Sequence, residues 1–210
     1  MKDIAPRPHL GKIAGERFIY DMAIYRWIII ACWLFFLAVW TIPAFGAKPS
    51  VKDRHWRRQR WLRLAILIAA ILAARFTGVR QALGQHGFTV HDPSAGLVGA
   101  ALVLLGVGLA VWARFVLGRN WGQPMTQRQN PELVTAGPYS VIRHPIYTGI
   151  LASTLGSAIA ITPLMFLIFL LVAVYFIYSA RQEEKRMTLL FPAQYPAYKA
   201  HTKMLLPFIF

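Results

Sequence analysis

Residues 146–180 read IYTGILASTLGSAIAITPLMFLIFLLVAVYFIYSA, a run with no charged side chain. Drawn as one helix it would be about 52 Å long, against a hydrocarbon core of roughly 30 Å. Thr162-Pro163 falls near its middle, and proline both removes a backbone donor and clashes with the preceding turn. The run is therefore expected to form a hairpin of two shorter helices broken near Pro163. A hairpin returns Arg181 to Phe210 to the side from which the run departs.

Composition extends this reading to the whole chain. Of 210 residues, 57% are hydrophobic and 15% charged, and the apolar residues are gathered into long runs. The chain reads as an all-α integral membrane protein of about five transmembrane helices, the hairpin supplying the last two. The earlier spans are expected at Ile24 to Phe45, Trp61 to Thr77 and Ala95 to Leu117. A short interfacial helix around Gly15 to Tyr25 is expected to precede them, given Phe18, Tyr20, Tyr25 and Trp27. Gly96, Gly99, Gly106 and Gly108 would let the third span approach a neighbour closely. Residues 1–117 then hold the interfacial segment and three spans. Residues 118–210 hold a polar loop, the hairpin and a tail, within one structural domain.

The net charge of +15 fits a membrane protein with basic loops better than one that binds nucleic acid, because no soluble face interleaves aromatic and basic residues. One side collects Lys48, Lys52, Arg54, Arg57, Arg58 and Arg60, the arginines of the 118–145 loop, and Arg181, Lys185, Arg186, Lys199 and Lys203. The other side has Lys2, Arg7, Lys12, Arg17 and Arg80. The positive-inside rule puts the first side in the cytoplasm. The single cysteine, Cys32, allows neither an internal disulfide nor a cysteine zinc site, and the six histidines show no short ligand spacing. No metal is expected. The N-terminus has no apolar core followed by a small-residue cleavage site, so an uncleaved signal anchor is expected.

The densest collection of polar groups lies just before the hairpin, in Gly137-Pro138-Tyr139-Ser140-Val141-Ile142-Arg143-His144-Pro145-Ile146-Tyr147-Thr148-Gly149. Pro145 suits the first helical position, with His144 near the cap. The helix start offers N–H groups and a partial positive charge, and Arg143 adds a cation, so a carboxylate or phosphate would be held there. The other arm ends in Arg181-Gln182-Glu183-Glu184-Lys185-Arg186. Neighbours on a helix point about 100° apart, so one glutamate is expected to face the site and the other to pair with Lys185, Arg186 or a loop cation. A positive helix end beside a carboxylate suits a zwitterion such as an amino-acid moiety. The same residues serve plainer roles equally well: Arg143 as a topological anchor, Tyr139 and Tyr147 in an aromatic belt, the glutamates on a solvated face. No nucleophile–base pair and no phosphate-cradling glycine loop is evident.

From Leu117 onward the chain resembles the isoprenylcysteine carboxyl methyltransferase family, particularly its bacterial branch. The pieces occur in order: Leu117-Gly118-Arg119-Asn120-Trp121, Leu133-Val134, Gly137-Pro138-Tyr139, Arg143-His144-Pro145 with Tyr147 and Gly149, Glu183-Glu184, Phe191-Pro192, Tyr195, Tyr198, and Leu206-Pro207-Phe208. The resemblance implies an S-adenosyl-L-methionine-dependent methyltransferase. His144, Tyr147 and Glu183 or Glu184 would bind the cofactor, with Tyr139 and Pro145 shaping its pocket. Arg143 would act catalytically by orienting the methyl acceptor or the cofactor carboxylate. A lipophilic carboxylate, amine or thiol would enter from the bilayer, at the cytoplasmic face of a bacterial inner membrane. An NADPH-dependent sterol or steroid reductase, which shares a similar Arg-His-Pro-x-Tyr-x-Gly signature, is the alternative enzyme class. A non-catalytic membrane scaffold is the third reading.

Overall fold

The computed structural model describes residues 8–41, 92–120, 132–161 and 164–206. The described residues form five α-helices: α1 (Pro8–Thr41), α2 (Pro93–Leu117), α3 (Pro145–Ala160), α4 (Leu164–Leu190) and α5 (Tyr195–His201). Two 3₁₀ turns, Gly118–Asn120 and Gly137–Ser140, bound the polar loop. The chain is an all-helical integral membrane protein. Among the described residues, three stretches are long and apolar enough to cross a membrane, Ala23–Thr41, Pro93–Leu117 and Met165–Leu190.

The interfacial helix expected before the first span is not separate, since α1 runs unbroken through it. Nothing in Ile13 to Ile30 breaks a helix except Gly15, and one helical glycine costs only about 1 kcal/mol. The second span expected at Trp61 to Thr77, the basic loop Lys48 to Arg60 and the breaker Pro163 lie outside the described residues. The first arm of the hairpin, α3, has 16 residues and is thus about 24 Å long, short of a full crossing. The second, α4, has 27 residues, about 40 Å. Its surplus length carries Glu183 and Glu184 down to the level of the α3 start.

Helices α1 and α2 run parallel. The Tyr25 ring lies against Gly96 at one end, and Arg114 sits 5.3 Å over the Trp40 ring at the other. Ile29, Cys32 and Phe36 pack against Val103, Val107 and Ala110 between them. Asp92 starts α2 by accepting from the Ser94 N–H at 2.9 Å, with Pro93 in the first turn.

Helices α2 and α3 are antiparallel and meet backbone to backbone. A Cβ at Gly106 would stand 2.5 Å from the Gly149 carbonyl oxygen, and one at Gly156 2.5 Å from that of Gly99. Of the four α2 glycines singled out, Gly99 and Gly106 make this approach and Gly96 faces Tyr25, but Gly108 has nothing within 4 Å. The α2 C-terminus, the α3 N-terminus and the lower part of α4 consequently share one end of the bundle.

Candidate active site

The α3 start is built as its sequence suggests, with His144 at the N-cap and Pro145 in the first turn. Gly137 opens the approach to it at φ 58°, where a Cβ would also lie 3.1 Å from Val116. The turn that follows buries Pro138 and Tyr139.

The segment after α5 closes over this start. Lys203 N–H donates to the Val141 carbonyl at 3.1 Å, Arg143 N–H to Lys203 at 2.8 Å and His144 N–H to Met204 at 3.1 Å. Thr148 Oγ1 donates to the Leu205 carbonyl at 2.6 Å, and Met204 and Leu205 pack with Tyr147, Phe176 and Ala180. The N–H groups of Arg143 and His144 are therefore taken by the tail rather than open to a ligand.

Three rings stack in series. His144 lies 5.4 Å from Tyr147 with planes 4° apart, and Tyr147 lies 4.3 Å from Phe176 with planes 5° apart. Glu183 holds the first two from α4. Tyr147 Oη donates to Glu183 Oε1 at 2.6 Å, and His144 Nδ1 lies 3.5 Å from Glu183 Oε2.

Glu184 does different work. It accepts from Arg143 Nε at 2.6 Å, pairs with Lys199 Nζ at 2.7 Å and lies 3.8 Å from His144 Nε2. Its side chain is 7% exposed, that of Glu183 27%. The adjacent glutamates thus divide, as helical geometry demands, with Glu183 on the ring stack and Glu184 inside a cluster of cations. Arg143 is itself 8% exposed. Besides Glu184, its Nη1 donates to the carbonyl oxygens of Lys199, at 3.3 Å, and Thr202, which caps the end of α5.

Electrostatics follows from this packing. Burial works against the charged form of His144, but its contacts with Glu183 and Glu184 outweigh it, and its pKa is raised. Tyr139 is raised by burial, then by Tyr198 and Glu183. Tyr198, whose Oη donates to the Tyr139 carbonyl at 2.7 Å, is pushed up to about 12, chiefly by burial. Neither phenol is suited to remove a proton at neutral pH. His144 Nε2 is buried and makes no hydrogen bond, its contact with Glu184 Oε1 standing at 3.8 Å.

Every residue singled out from the sequence comes together at this end of the bundle: Tyr139, Arg143, His144, Pro145, Tyr147, Glu183 and Glu184. Lys199, Thr202, Phe176 and Thr148 were not singled out. Lys199 carries one discernible signal, since a cation for the second glutamate was required and the tail is basic. The others have none, because an isolated threonine or phenylalanine acquires its role only through the partner the fold brings to it.

Residues 95–194 match the family model of the phospholipid methyltransferases. Among solved structures, the chain is similar to the eukaryotic intramembrane Ras methyltransferase, isoprenylcysteine carboxyl methyltransferase. Identity is 26%, the TM-score is 0.53, and the alignment covers 67% of this chain and 53% of that one. The chain therefore spans about half the length of that relative. No curated protein matches it.

Proposed function

We propose that this isoprenylcysteine carboxyl methyltransferase-like membrane protein transfers a methyl group from S-adenosyl-L-methionine to a lipophilic acceptor. The observation that carries the proposal is the arrangement about Glu183. One carboxylate holds His144 and Tyr147, and the far nitrogen of the same imidazole is buried without a hydrogen bond. A buried ring nitrogen whose contact with Glu184 Oε1, at 3.8 Å, is too long for a hydrogen bond suits the carboxylate of an amino-acid moiety. The partly exposed Glu183 suits its ammonium group. The donor set therefore fits the methyl donor's zwitterionic end.

When bound, the sulfonium supplies an already activated methyl group. What the chain must add is alignment and the exclusion of water. Tyr139 and Pro145, both buried, would wall the pocket. His144 Nε2 would hold the donor's carboxylate, and Tyr147, fixed between His144 and Phe176, would set its position. Arg143 has its Nε and Nη1 engaged within the protein, so we assign it a positioning role: it locks Glu184 and the end of α5 against the α3 start. A carboxylate acceptor is ionised at neutral pH and needs no base. An amine or thiol would have to lose its proton, and the raised phenols of Tyr139 and Tyr198 are not suited to take it. The acceptor would enter sideways from the bilayer. The basic residues at this end, Arg181, Lys185, Arg186, Lys199 and Lys203, favour placing it in the cytoplasm, at a bacterial inner membrane.

Calorimetric titration of detergent-solubilised protein with S-adenosylhomocysteine, with NADPH run beside it, tests the proposal. Saturable binding of S-adenosylhomocysteine alone is expected. Binding of NADPH alone, or of neither by folded protein, would refute it.

A further inference from the structure

Serine and threonine hydroxyls inside helices usually turn back to the carbonyl four residues earlier. Those near the bundle core do so here. Ser153 donates to Gly149 at 2.8 Å, Ser157 to Ser153 at 2.9 Å, Thr154 to Ile150 at 3.0 Å and Thr188 to Glu184 at 2.9 Å. Ser179 departs from the pattern. It is fully buried, at 0% exposure, and its Oγ has no hydrogen-bond partner.

Its place on α4 indicates what the hydroxyl is for. Side chains three and four apart on a helix share a face, so Ser179 lies between Phe176 and Glu183. Both of those contact Tyr147, and the adjacent Ala180 packs in the same cluster. Ser179 Oγ is thus a buried polar atom without a hydrogen bond beside the Tyr147–Glu183 contact, on the ring stack that also holds His144. Leaving a buried hydroxyl unpaired costs about 1–3 kcal/mol, and a back-bond to its own helix would remove that cost.

We propose that Ser179 is a further ligand-binding residue, its hydroxyl hydrogen-bonding the zwitterionic amino-acid end of an S-adenosyl compound held between Glu183 and His144. The inference rests on the methyltransferase reading and adds a contact on α4 one turn deeper than the glutamates. A hydroxyl both donates and accepts, so it can serve either the carboxylate or the ammonium group.

The test is Ser179→Ala, measured two ways on the detergent-solubilised chain. Affinity for S-adenosylhomocysteine should fall about tenfold, the loss of one hydrogen bond to a charged group. The ligand-free melting temperature should stay level or rise, because an unpaired polar atom has been replaced by a methyl group. Ser179→Cys, with a weaker donor of similar size, should fall between. Unchanged affinity in Ser179→Ala would overturn the proposal. So would a lowered ligand-free melting temperature accompanying the weaker binding, which would mark the hydroxyl as structural. Absence of binding by the wild-type chain would instead overturn the methyltransferase reading, and this inference with it.

Discussion

Gly149 stands two residues from Tyr147 in the first turns of α3, and its missing side chain lets α3 lie on α2. In Gly149→Ala the new methyl would stand 2.8 Å from the Ala110 nitrogen and 2.9 Å from its Cβ, and closer still to the Gly106 carbonyl. Carbon atoms pack best at about 3.5–4.0 Å, so the helices must part by roughly 0.5–1 Å. None of these atoms is the end of a flexible chain, so only the backbones can yield. Overpacking of this kind costs about 1–3 kcal/mol. Replacing a helical glycine by alanine returns about 0.5–1 kcal/mol. The net loss is on the order of 1–2 kcal/mol, a fall in melting temperature of roughly 2–8 °C for a chain this size. The companion variant Gly108→Ala meets nothing within 4 Å, so only the helix gain remains and it should melt slightly above wild type. The displacement should also reach the site, stretching the 2.6 Å Tyr147–Glu183 contact and weakening S-adenosylhomocysteine binding in Gly149→Ala alone. Thermal unfolding of the two variants in one detergent is the assay. If Gly149→Ala melts as high as Gly108→Ala, the close packing of α2 on α3 does not set the site.

Glu184→Gln should destabilise by on the order of 3 kcal/mol, because it strands the buried Arg143 guanidinium, whereas Lys199→Ala, removing a half-exposed partner, should cost at most about 1 kcal/mol; thermal unfolding separates them. Glu183→Gln should instead keep most of its stability and lose S-adenosylhomocysteine affinity, read by calorimetry. The pKa of His144 is raised above its ordinary 6.5, so its charge contributes fully below about pH 6.5 and that contribution is lost as pH rises through the raised value. Melting temperature should therefore decline across that window in wild type, and the decline should be absent in His144→Gln. Tyr198→Phe removes the donor to the Tyr139 carbonyl and should cost about 1 kcal/mol, a drop of roughly 2–4 °C if α5 is held as described.

Much of the architecture was legible in the chain itself. Helical spans follow from apolar runs, since a backbone in lipid must satisfy its own hydrogen bonds. The hairpin follows from a run too long for one crossing. The α3 start follows from Pro145, whose ring fits only where no N–H is needed. Helix lengths were less legible. Hydrophobicity does not mark where a helix ends, and α4 extends past Ala180 to Leu190 while α1 begins at Pro8. The sequence also brought Arg143, His144, Tyr147, Glu183 and Glu184 to one end of the bundle, because a hairpin must return. Which glutamate does what was decided only by the rotation of α4 about its axis. That rotation comes from Phe176 and Ala180 packing on Tyr147, which turns Glu183 to the rings and Glu184 to Arg143 and Lys199. Likewise no spacing rule announced that residues 202–205 would seal the α3 start, or that Ser179 would be buried with nothing to bond. Those are contacts between segments far apart in the chain, and they exist only once the tertiary structure has placed them together.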